Sequence, residues 1–530
     1  MYVIMDMGTT NTRLYLCSNN AVVDCVKGAF GAGFGKKNGR KELCKRVEDL
    51  LGDLLNKCTV NECDVESIVA VGMAGSEIGL LDVPHISLPA DACTLAKNVR
   101  MERIDGINIP FLFISGVKKT DGRTRICDMM RGEETETVGL ASVIESDGDK
   151  VFVLPGTHNK IVHVSRDGMI TDCVTTFSGE LLDNIISNTI LAGQVSHDFQ
   201  IIESEVLKGA AYAKENGLNA ALFKIRVMAK NGIGVDALSS FLYGCVIGED
   251  ICLINRIAQG KKIYVFGRKT LREVYAILLG EDAVLLDDDV CSSAMVNGAM
   301  LVKQIYDAHS RRKTIIERIE KEKVIAIVRN AEKESCVEAM RALYDGGIRL
   351  AEVTFDRSGK KSVQEIAEMI RMLVSEFGND MCIGAGTVTR TAEVFAAFEA
   401  GASYIISPNC DPEIISLTRK LGMVSMPAAY TATEITAAMN HGADYVKLFP
   451  ADQVSEDYVK AVCAPLSDAK LFAVGGVNAD NASKFLKMGF CGIGVGSNLY
   501  DKKLIAEKNF DALRELAKKY SSLSKSNDID

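Results

Sequence analysis

The sequence predicts an α/β protein with two domains, and the C-terminal one is expected to be a (β/α)8 barrel. Short apolar strands alternate with amphipathic helices after about residue 320. In the first half a strand–turn–strand pattern occurs twice, and a highly charged helical stretch separates the two parts. We place the boundary near Ser310 in that stretch. The predicted domains are 1–309, built from repeats of about 1–140 and 141–309, and 310–530.

The second half contains eight strand-like segments with helical patterns between them. Continuous apolar strands separated by helices indicate a parallel sheet covered by helices. Eight such units favour closure into a barrel, and a doubly wound open sheet is the alternative. The segments are "VIAIVR" (324–329), "AEVTF" (351–355), "CIGAGTV" (382–388), "YIISP" (404–408), "MVSMPAA" (423–429), "YVKLFP" (445–450), "LFAVGG" (471–476) and "GIGVGS" (492–497).

Bulk composition excludes several classes of protein. The chain has 530 residues, too many for one hydrophobic core, and its net charge of -9 disfavours a nucleic-acid partner. Sixteen cysteines without a CxxC pair indicate free thiols in a reducing compartment. The first residues resemble a strand, and no apolar run is expected to reach membrane-spanning length. We therefore expect a cytoplasmic protein without a membrane partner.

Lys447 stands inside the apolar run "YVKLFP", near the end of the sixth strand. Functional groups of such barrels lie at the C-terminal ends of the strands. An apolar environment lowers the pKa of a lysine, and the neutral amine can attack a carbonyl to form a Schiff base. The alternative is a lysine whose ammonium group reaches solvent from the strand end.

Other strand ends carry groups that suit the same chemistry. Glu352 ends the second strand and can move protons for an imine, and Thr387 follows the third strand as a hydroxyl donor. Glycine-rich turns, "VGGVN" and "GVGSN", follow the last two strands. Barrels bind phosphate at that position through backbone N–H groups, although such glycines can also serve only a tight turn.

Residues of about 312–520 resemble the class I KDPG/KDPGal aldolases, which cleave 2-keto-3-deoxy-6-phospho sugar acids. The motifs "IAIVR", "AEVTF", "IGAGTV", "ISPN", "VKLFPA", "FAVGGVN" and "GVGSNLY" occur in the family's order. The resemblance implies a Schiff base on Lys447, general acid–base catalysis by Glu352, no cofactor, and a trimeric assembly. It implies further substrate contacts by Arg329 and Thr387 (pyruvyl carboxylate), Gly475, Gly476, Gly496 and Ser497 (phosphate), and Pro408.

Two positions depart from that family's pattern. Some members place an arginine four residues after the glutamate, whereas Arg357 stands five residues after Glu352. Arg357 is therefore a candidate substrate contact whose role is open. Asn409 follows Pro408 where some members have glycine.

The repeat in the first half aligns at a constant shift of 148 residues. Gly8 falls on Gly156, Thr9 on Thr157, and Asn11 on Asn159. Such a turn presents N–H groups and hydroxyls, including that of Thr10, to an anion, so two turns could hold a nucleotide's phosphates. The alternative is two ordinary β-hairpins.

The two copies of the turn differ in one acidic position. Asp6 precedes the first turn, whereas the second copy has Leu154 there. One carboxylate near a triphosphate suits Mg²⁺, which keeps several of its waters.

Further motifs of the first half are "GMAGSEIG" (72–79), "DMMRGEET" (128–135), "LPGTHNK" (154–160), "FSGE" (177–180) and "YVFGRKTLREVY" (264–275). With these motifs, residues of about 1–305 resemble the 2-keto-3-deoxygalactonate kinases of the actin/Hsp70/sugar-kinase (ribonuclease H-like) superfamily. The resemblance implies use of ATP, Glu133 as the base for the sugar hydroxyl with Glu134 as the alternative, Ser76 as a sugar contact, and residues 264–275 near the adenosine. A solvated helix start would also explain the two glutamates.

Together the two resemblances imply consecutive reactions on small-molecule sugar acids. The first half would use ATP to phosphorylate the 6-hydroxyl of 2-keto-3-deoxygalactonate, and the second would cleave the product to pyruvate and glyceraldehyde 3-phosphate. A gluconate-series substrate is one alternative, which the absence of a "GAGD"-type motif disfavours. The other is an active aldolase whose first half is a nucleotide-binding sensor.

Overall fold

The computed structural model describes residues 1–122 and 125–525. It divides into two compact units, Met1–Tyr306 and Asp307–Asp530. The strands of the first unit are β1 (Tyr2–Met7), β2 (Thr12–Ser18), β3 (Ala21–Gly28), β4 (Ile68–Gly72), β5 (Ile86–Ser87), β6 (Arg100–Ile104), β7 (Ile107–Phe113), β8 (Val117–Thr120), β9 (Ile126–Met130), β10 (Lys150–Leu154), β11 (Asn159–Val164), β12 (Ile170–Thr176), β13 (Lys262–Val265) and β14 (Ala283–Leu285). Its helices are α1 (Ala32–Asn38), α2 (Arg40–Cys58), α3 (Ala92–Lys97), α4 (Glu133–Val143), α5 (Ser178–Asn188), α6 (Glu203–Asn216), α7 (Leu218–Lys230), α8 (Val235–Ala258), α9 (Lys269–Leu279) and α10 (Asp288–Glu322), which continues into the second unit.

Two sheets of the first unit share one strand arrangement. Their orders are β3-β2-β1-β4-β7-β6 and β12-β11-β10-β13-β14. In each, three antiparallel strands come first, and a later strand then pairs in parallel with the first of them, β4 with β1 and β13 with β10. β10 begins 148 residues after β1, which is the shift that aligns the two halves of the sequence.

Helix α8 is long and apolar enough to cross a membrane, and it is the one such helix among the described residues. The expectation that no apolar run reaches this length is therefore wrong for α8. About 67% of its most apolar window is buried, and it packs tightly against α6: a Cβ on Gly244 would lie 2.0 Å from the Val206 carbonyl oxygen. The apolar length of α8 thus serves the core of the first unit.

The second unit is a closed parallel barrel. Its strands are β15 (Val324–Val328), β16 (Leu350–Thr354), β17 (Cys382–Gly386), β18 (Tyr404–Ile406), β19 (Val424–Met426), β20 (Ala428–Ala429), β21 (Val446–Leu448), β22 (Leu471–Val474) and β23 (Gly492–Val495). Its helices after α10 are α11 (Lys333–Asp345), α12 (Val363–Phe377), α13 (Thr391–Glu399), α14 (Pro412–Lys420), α15 (Ala432–Asn440), α16 (Glu456–Cys463), α17 (Ala482–Lys487), α18 (Lys502–Ala506) and α19 (Phe510–Lys525).

The strand order decides between a barrel and an open sheet. It runs β19-β18-β17-β16-β15-β23-β22-β21-β20, so the first and last strands belong to one chain segment, 424–429. The fifth predicted strand is therefore two short strands divided at Pro427. Proline has no N–H to donate to a neighbouring strand, and its carbonyl instead accepts from the Lys447 N–H at 2.9 Å. The doubly wound alternative is excluded.

One end of the barrel is filled by large side chains near the strand starts. Tyr404, Tyr445 and Phe472 pack there with Ile315 and Ile319 of α10. The interior at this end is consequently a packed core, and the opposite end, where the strands finish, holds the open space.

Candidate active sites

Lys447 lies in β21, between Ala428 of β20 and Phe472 of β22 in the strand register. Its side chain is buried, and its Nζ lies 4.7 Å from the centre of the Phe449 ring. The side chain borders a cavity of about 340 Å³. The wall of this cavity also contains Arg329, Phe449, Gly475, Gly476, Gly496, Ser497, Asn498, Tyr500 and Lys502.

Lys447 and Glu352 perturb each other's protonation. Burial lowers the pKa of Lys447, Glu352 opposes this shift, and Arg329 lowers the pKa further. Burial also raises the pKa of Glu352 to about 6, against the attraction of Lys447 and Arg329. Glu352 is 2% exposed, and its Oε2 has no hydrogen-bond partner among the described residues. Burial thus favours the neutral form of both groups, the amine of Lys447 and the protonated carboxyl of Glu352.

Two glycines are required by the close packing of this end of the barrel. A Cβ on Gly386 would lie 2.4 Å from the Glu352 carboxylate. Gly476 has a φ of +68°, and a Cβ there would lie 2.3 Å from the Asp452 side chain. The Asn481 side chain donates to the Gly476 carbonyl at 2.9 Å, which fixes the turn after β22.

Arg357 is bound within the loops at the strand ends. Its Nη2 donates to the Thr387 carbonyl and to the Glu393 carboxylate, both at 2.6 Å. Glu393 is 2% exposed and also accepts the Thr389 N–H at 2.9 Å. Arg357 does not border the cavity around Lys447, and neither does Pro408, which is exposed after β18.

The first glycine turn of the N-terminal unit lies between β1 and β2. The Gly8 N–H donates to the Asn11 carbonyl at 2.9 Å, and Thr9 and Thr10 are exposed at the tip. Helix α1 begins against this turn, because a Cβ on Gly31 would lie 2.3 Å from the Gly8 carbonyl oxygen. Gly31 therefore permits a helix N-terminus to approach the turn.

The second turn, between β10 and β11, also has a helix packed against it, but its glycine N–H has a side-chain acceptor. The Gly156 N–H donates to the Asn159 side-chain oxygen at 3.1 Å, and the Glu180 N–H donates to the Thr157 carbonyl at 2.7 Å. A Cβ on Gly179 would lie 1.8 Å from the Gly156 carbonyl oxygen. Gly31 and Gly179 are also 148 residues apart, so the repeat predicts this pair, although only Gly179 stands in one of the motifs above, "FSGE".

The Asn159 side chain faces the core. Its amide donates to Asp250 at 3.1 Å and to the Tyr275 hydroxyl at 2.8 Å. Ser178 and Tyr275 also donate to Asp250, at 2.8 and 2.6 Å. This buried network fixes the shape of the second turn, and the sequence pattern does not single out Asp250 or Tyr275.

Glu133 begins helix α4 and is partly exposed. Its side chain is 27% exposed, its Oε2 accepts the Arg131 N–H at 3.0 Å, and its Oε1 lies 4.0 Å from Lys160 Nζ. Burial raises the pKa of Glu133, and Lys160 opposes that shift most strongly.

Glu134 is held inside the fold. It is 1% exposed and accepts the Gly132 N–H at 2.7 Å and the Thr135 hydroxyl at 3.0 Å. Burial and the neighbouring Glu133 raise its pKa to about 7. Glu133 is thus the more accessible of the two glutamates.

Two further carboxylates lie in the same charged region. Burial raises the pKa of Asp6, opposed by Arg13 at 3.2 Å. Burial, and then Glu133 and Asp6, raise the pKa of Glu136 well above its usual range. Glu136 lies three residues after Glu133 on the same face of α4, a spacing that could have identified it from the sequence. Over residues 1–122 and 125–525, no group of three or more metal-binding side chains converges.

The segment "GMAGS" lies beside the partly buried guanidinium of Arg131. The Ser76 hydroxyl donates to the Met73 carbonyl at 2.7 Å. Arg131 donates to the Val83 carbonyl at 2.6 Å, and a Cβ on Gly75 would lie 2.9 Å from Arg131 Nη1. Residues 264–275, the expected adenosine segment, form parts of β13 and α9.

Comparison with known proteins assigns both units. The family model described as 2-keto-3-deoxy-galactonokinase matches residues 6–300, and the KDPG and KHG aldolase model matches residues 315–516. The chain belongs to both families. It is accordingly an enzyme of sugar-acid catabolism with a kinase half and an aldolase half.

Curated relatives agree with this division. The aldolase half is 31% identical to the 2-dehydro-3-deoxy-6-phosphogalactonate aldolase of Escherichia coli K12, over 37% of this chain and 94% of the relative. It is 30% identical to a 2-dehydro-3-deoxy-phosphogluconate aldolase of Treponema pallidum, over 38% and 94%. The kinase half is 25% identical to the E. coli K12 2-dehydro-3-deoxygalactonokinase, over 47% of this chain and 79% of the relative.

Proposed function

We propose that the chain catalyses two consecutive steps on one sugar acid. The kinase half transfers the γ-phosphoryl group of ATP to the 6-hydroxyl of 2-keto-3-deoxy-D-galactonate. The aldolase half then cleaves the product to pyruvate and D-glyceraldehyde 3-phosphate. The observation that carries the proposal is the buried Lys447, which borders a cavity with two glycine turns and interacts electrostatically with the buried Glu352, on one chain with a sugar-acid kinase domain.

In the aldolase half, the neutral Lys447 amine attacks the C2 carbonyl, and loss of water gives a protonated Schiff base. Glu352 removes the proton from the C4 hydroxyl while the C3–C4 bond breaks toward the imine. Glyceraldehyde 3-phosphate leaves, Glu352 returns a proton to C3, and hydrolysis releases pyruvate. The burial of both groups and the free Oε2 of Glu352 support these roles.

The remaining aldolase residues would bind the two charged ends of the substrate. Arg329 and Thr387 are assigned to the carboxylate, with Arg357 acting on Thr387 and Pro408 at the rim. The phosphate is assigned to backbone N–H groups and a hydroxyl of Gly475, Gly476, Gly496 and Ser497.

In the kinase half, Gly8–Asn11 and Gly156–Asn159 would hold the ATP phosphates, and Glu133 would accept the proton of the sugar hydroxyl. Glu133 is more exposed than Glu134, which favours Glu133 as the base. Asp6, partly exposed beside the first turn, fits Mg²⁺ as one carboxylate among water ligands, and the ion would neutralise phosphate charge. Ser76 is the proposed sugar contact. Two like sheets carrying two like turns support the ribonuclease H-like assignment.

A gluconate-series substrate is the second candidate, favoured by the likeness to a phosphogluconate aldolase. The kinase family favours galactonate. We further propose a cytoplasmic homo-oligomer, a trimer through the aldolase half, with sugar acids and ATP as its small-molecule partners.

The Lys447→Ala variant provides the test, because it cannot form the Schiff base and leaves the kinase product uncleaved. With ATP and Mg²⁺, mass spectrometry should detect the phosphorylated acid accumulating from the galactonate compound faster than from its gluconate epimer. No phosphorylated acid from either compound would contradict the kinase assignment, and the reverse preference would favour the gluconate series.

A further inference from the structure

The two glycine turns occupy equivalent positions in their sheets but differ in charge at a second position. At the shift of 148 residues, Thr12 falls on Lys160. The Thr12 hydroxyl donates to the Phe30 carbonyl at 2.8 Å and is fully buried, so it serves the fold. The first turn thus carries the acid, Asp6, and the second carries a cation, Lys160. The copies also differ at Met7/Pro155, Thr10/His158 and Arg13/Ile161, so the candidate for chemistry has to be identified from the surroundings of Lys160.

Lys160 stands directly after the second turn, and its surroundings leave donors free. It is 5% exposed, and its Nζ donates to the Thr175 hydroxyl at 3.0 Å. Thr175 is itself fixed by Asp128, which accepts its N–H at 2.7 Å and its hydroxyl at 2.5 Å. An ammonium has three N–H donors. Among the described residues, the Thr175 hydroxyl is the acceptor that lies within hydrogen-bond distance of Lys160 Nζ. Two donors therefore remain for a ligand.

The space beside Lys160 is open. A cavity of about 480 Å³ is bordered by Lys160, His158, Asp128, Thr175 and Phe177. Glu133 Oε1 lies 4.0 Å from Lys160 Nζ, at the outer limit of an ion pair. A buried ammonium is costly without a close counter-charge, and at this distance Glu133 compensates for it only in part. The site is thus suited to an added anion between the turn and Glu133.

We propose that Lys160 is a further catalytic residue whose ammonium contacts the γ-phosphoryl oxygens of ATP. This inference rests on the proposed kinase function. The sugar hydroxyl oxygen forms a bond to the γ-phosphorus, the bond from that phosphorus to the bridging oxygen breaks, and ADP leaves. The hydroxyl proton passes to Glu133. Lys160 neutralises negative charge on the transferred phosphoryl group. Catalysis of phosphoryl transfer depends mostly on such charge neutralisation and on positioning.

A purely structural role for Lys160 predicts a different result. If Lys160 served only as a counter-ion for Glu133, its loss would weaken ATP and ADP binding equally or not at all. A contact to the γ-phosphate weakens ATP alone, because ADP lacks that group. The comparison needs no sugar substrate, so it is independent of which sugar acid the kinase half uses.

The test is calorimetric titration of the full chain with ATP and with ADP, in Mg²⁺, for wild type, Lys160→Met and Lys160→Arg. We expect the Lys160→Met variant to raise the ATP Kd about tenfold, as for a charge-assisted hydrogen bond, and the ADP Kd less than twofold. Lys160→Arg should recover part of the ATP affinity. Lys119→Met is the matched control, since Lys119 also pairs with a carboxylate, that of Asp172, at 2.5 Å, and should leave both values unchanged.

Equal changes for ATP and ADP, or no change, would overturn the proposal, with thermal unfolding used to confirm that each variant is folded. In turnover assays we expect kcat to fall about 10²-fold in Lys160→Met. If Lys160→Met binds ATP more weakly than wild type does, but wild type phosphorylates no sugar acid, the substrate assignment fails while the γ-phosphate contact stands. If wild type does not bind ATP, both fail.

Discussion

At the scale of the residue, the mechanism that we propose for the aldolase half depends on how burial shifts the pKa values of two ionisable groups in opposite directions. Lys447 is pushed toward its neutral form and Glu352 toward its protonated form. Each partly restores the charged state of the other, so the pair is poised to exchange protons with a substrate. Neither shift can be obtained from sequence spacing alone, because both depend on how completely the barrel encloses the two side chains.

The raised pKa of Glu352 predicts the acidic limb of the aldolase pH profile. Below about pH 6 the carboxyl is protonated and cannot accept the C4 hydroxyl proton, so kcat/KM for cleavage should fall as pH drops through that value. The measurement is kcat/KM from pH 5 to 8 with the phosphorylated acid. Glu352→Gln should retain only weak activity that is flat across this range. If kcat/KM of Glu352→Gln still fell at the same pH as in wild type, the titrating group would be another residue and this prediction would be wrong.

At the scale of the element, the loop after β17 shows why Arg357 is outside the cavity. Thr387 is β-branched and has a φ of +58°, a left-handed conformation that costs about 1–3 kcal/mol. The Arg357 guanidinium, bound to the Thr387 carbonyl and to buried Glu393, stabilises that conformation. The sequence could locate Arg357 near the site, but its hydrogen-bond partner lies on a different strand end.

Arg357→Met should therefore weaken binding of the pyruvyl end through Thr387. We expect the concentration of pyruvate needed for half-maximal borohydride trapping on the enzyme to rise about tenfold, while the maximal extent of trapping stays close to wild type. Arg357→Lys should recover part of the loss. Arg341→Met is the control, because Arg341 forms a surface pair with Glu376 in the same unit. Unaltered pyruvate dependence in Arg357→Met would contradict the positioning role, and an unchanged maximal extent of trapping would show that the aldolase unit is folded.

The approach of α5 to the second turn gives a prediction for the kinase half. In Gly179→Ala the new Cβ would overlap the Gly156 carbonyl oxygen, so the turn must move and its N–H groups lose their alignment. ATP affinity by calorimetry should fall at least tenfold. Gly52→Ala in α2 is the matched control, since a Cβ there meets nothing within 4 Å and alanine favours a helix. Equal ATP affinity in the two variants would show that the turn does not bind phosphate.

Much of the architecture could be predicted from the sequence, for physical reasons. Buried parallel strands are continuous apolar runs, so the barrel strands were recognisable, and only Pro427, which cannot donate, divides one of them. The repeat revealed the paired sheets. It could not reveal that the Asn159 side chain turns inward to Asp250 while Asn11 bonds its neighbour Thr10, since that difference depends on packing against α8 and α9. Likewise, only the fold brings Lys160 beside Glu133.

At the scale of the whole molecule, one chain carries domains of two families whose substrates are chemically continuous. The kinase supplies a phosphate, and the aldolase cavity has two glycine turns at the strand ends where barrels bind phosphate. Neither half alone would establish an order of steps. Their presence on one chain predicts that pyruvate forms from the unphosphorylated acid only when ATP is present.

The most direct measurement follows pyruvate with lactate dehydrogenase and NADH, starting from 2-keto-3-deoxygalactonate and Mg²⁺, with and without ATP. Glu133→Gln and Lys447→Met are run in parallel, each alone and then mixed. The account predicts ATP-dependent pyruvate release by wild type, none by either variant alone, and recovery when the two variants are mixed. Pyruvate release by wild type without ATP, or by Glu133→Gln with ATP at the wild-type rate, would contradict it.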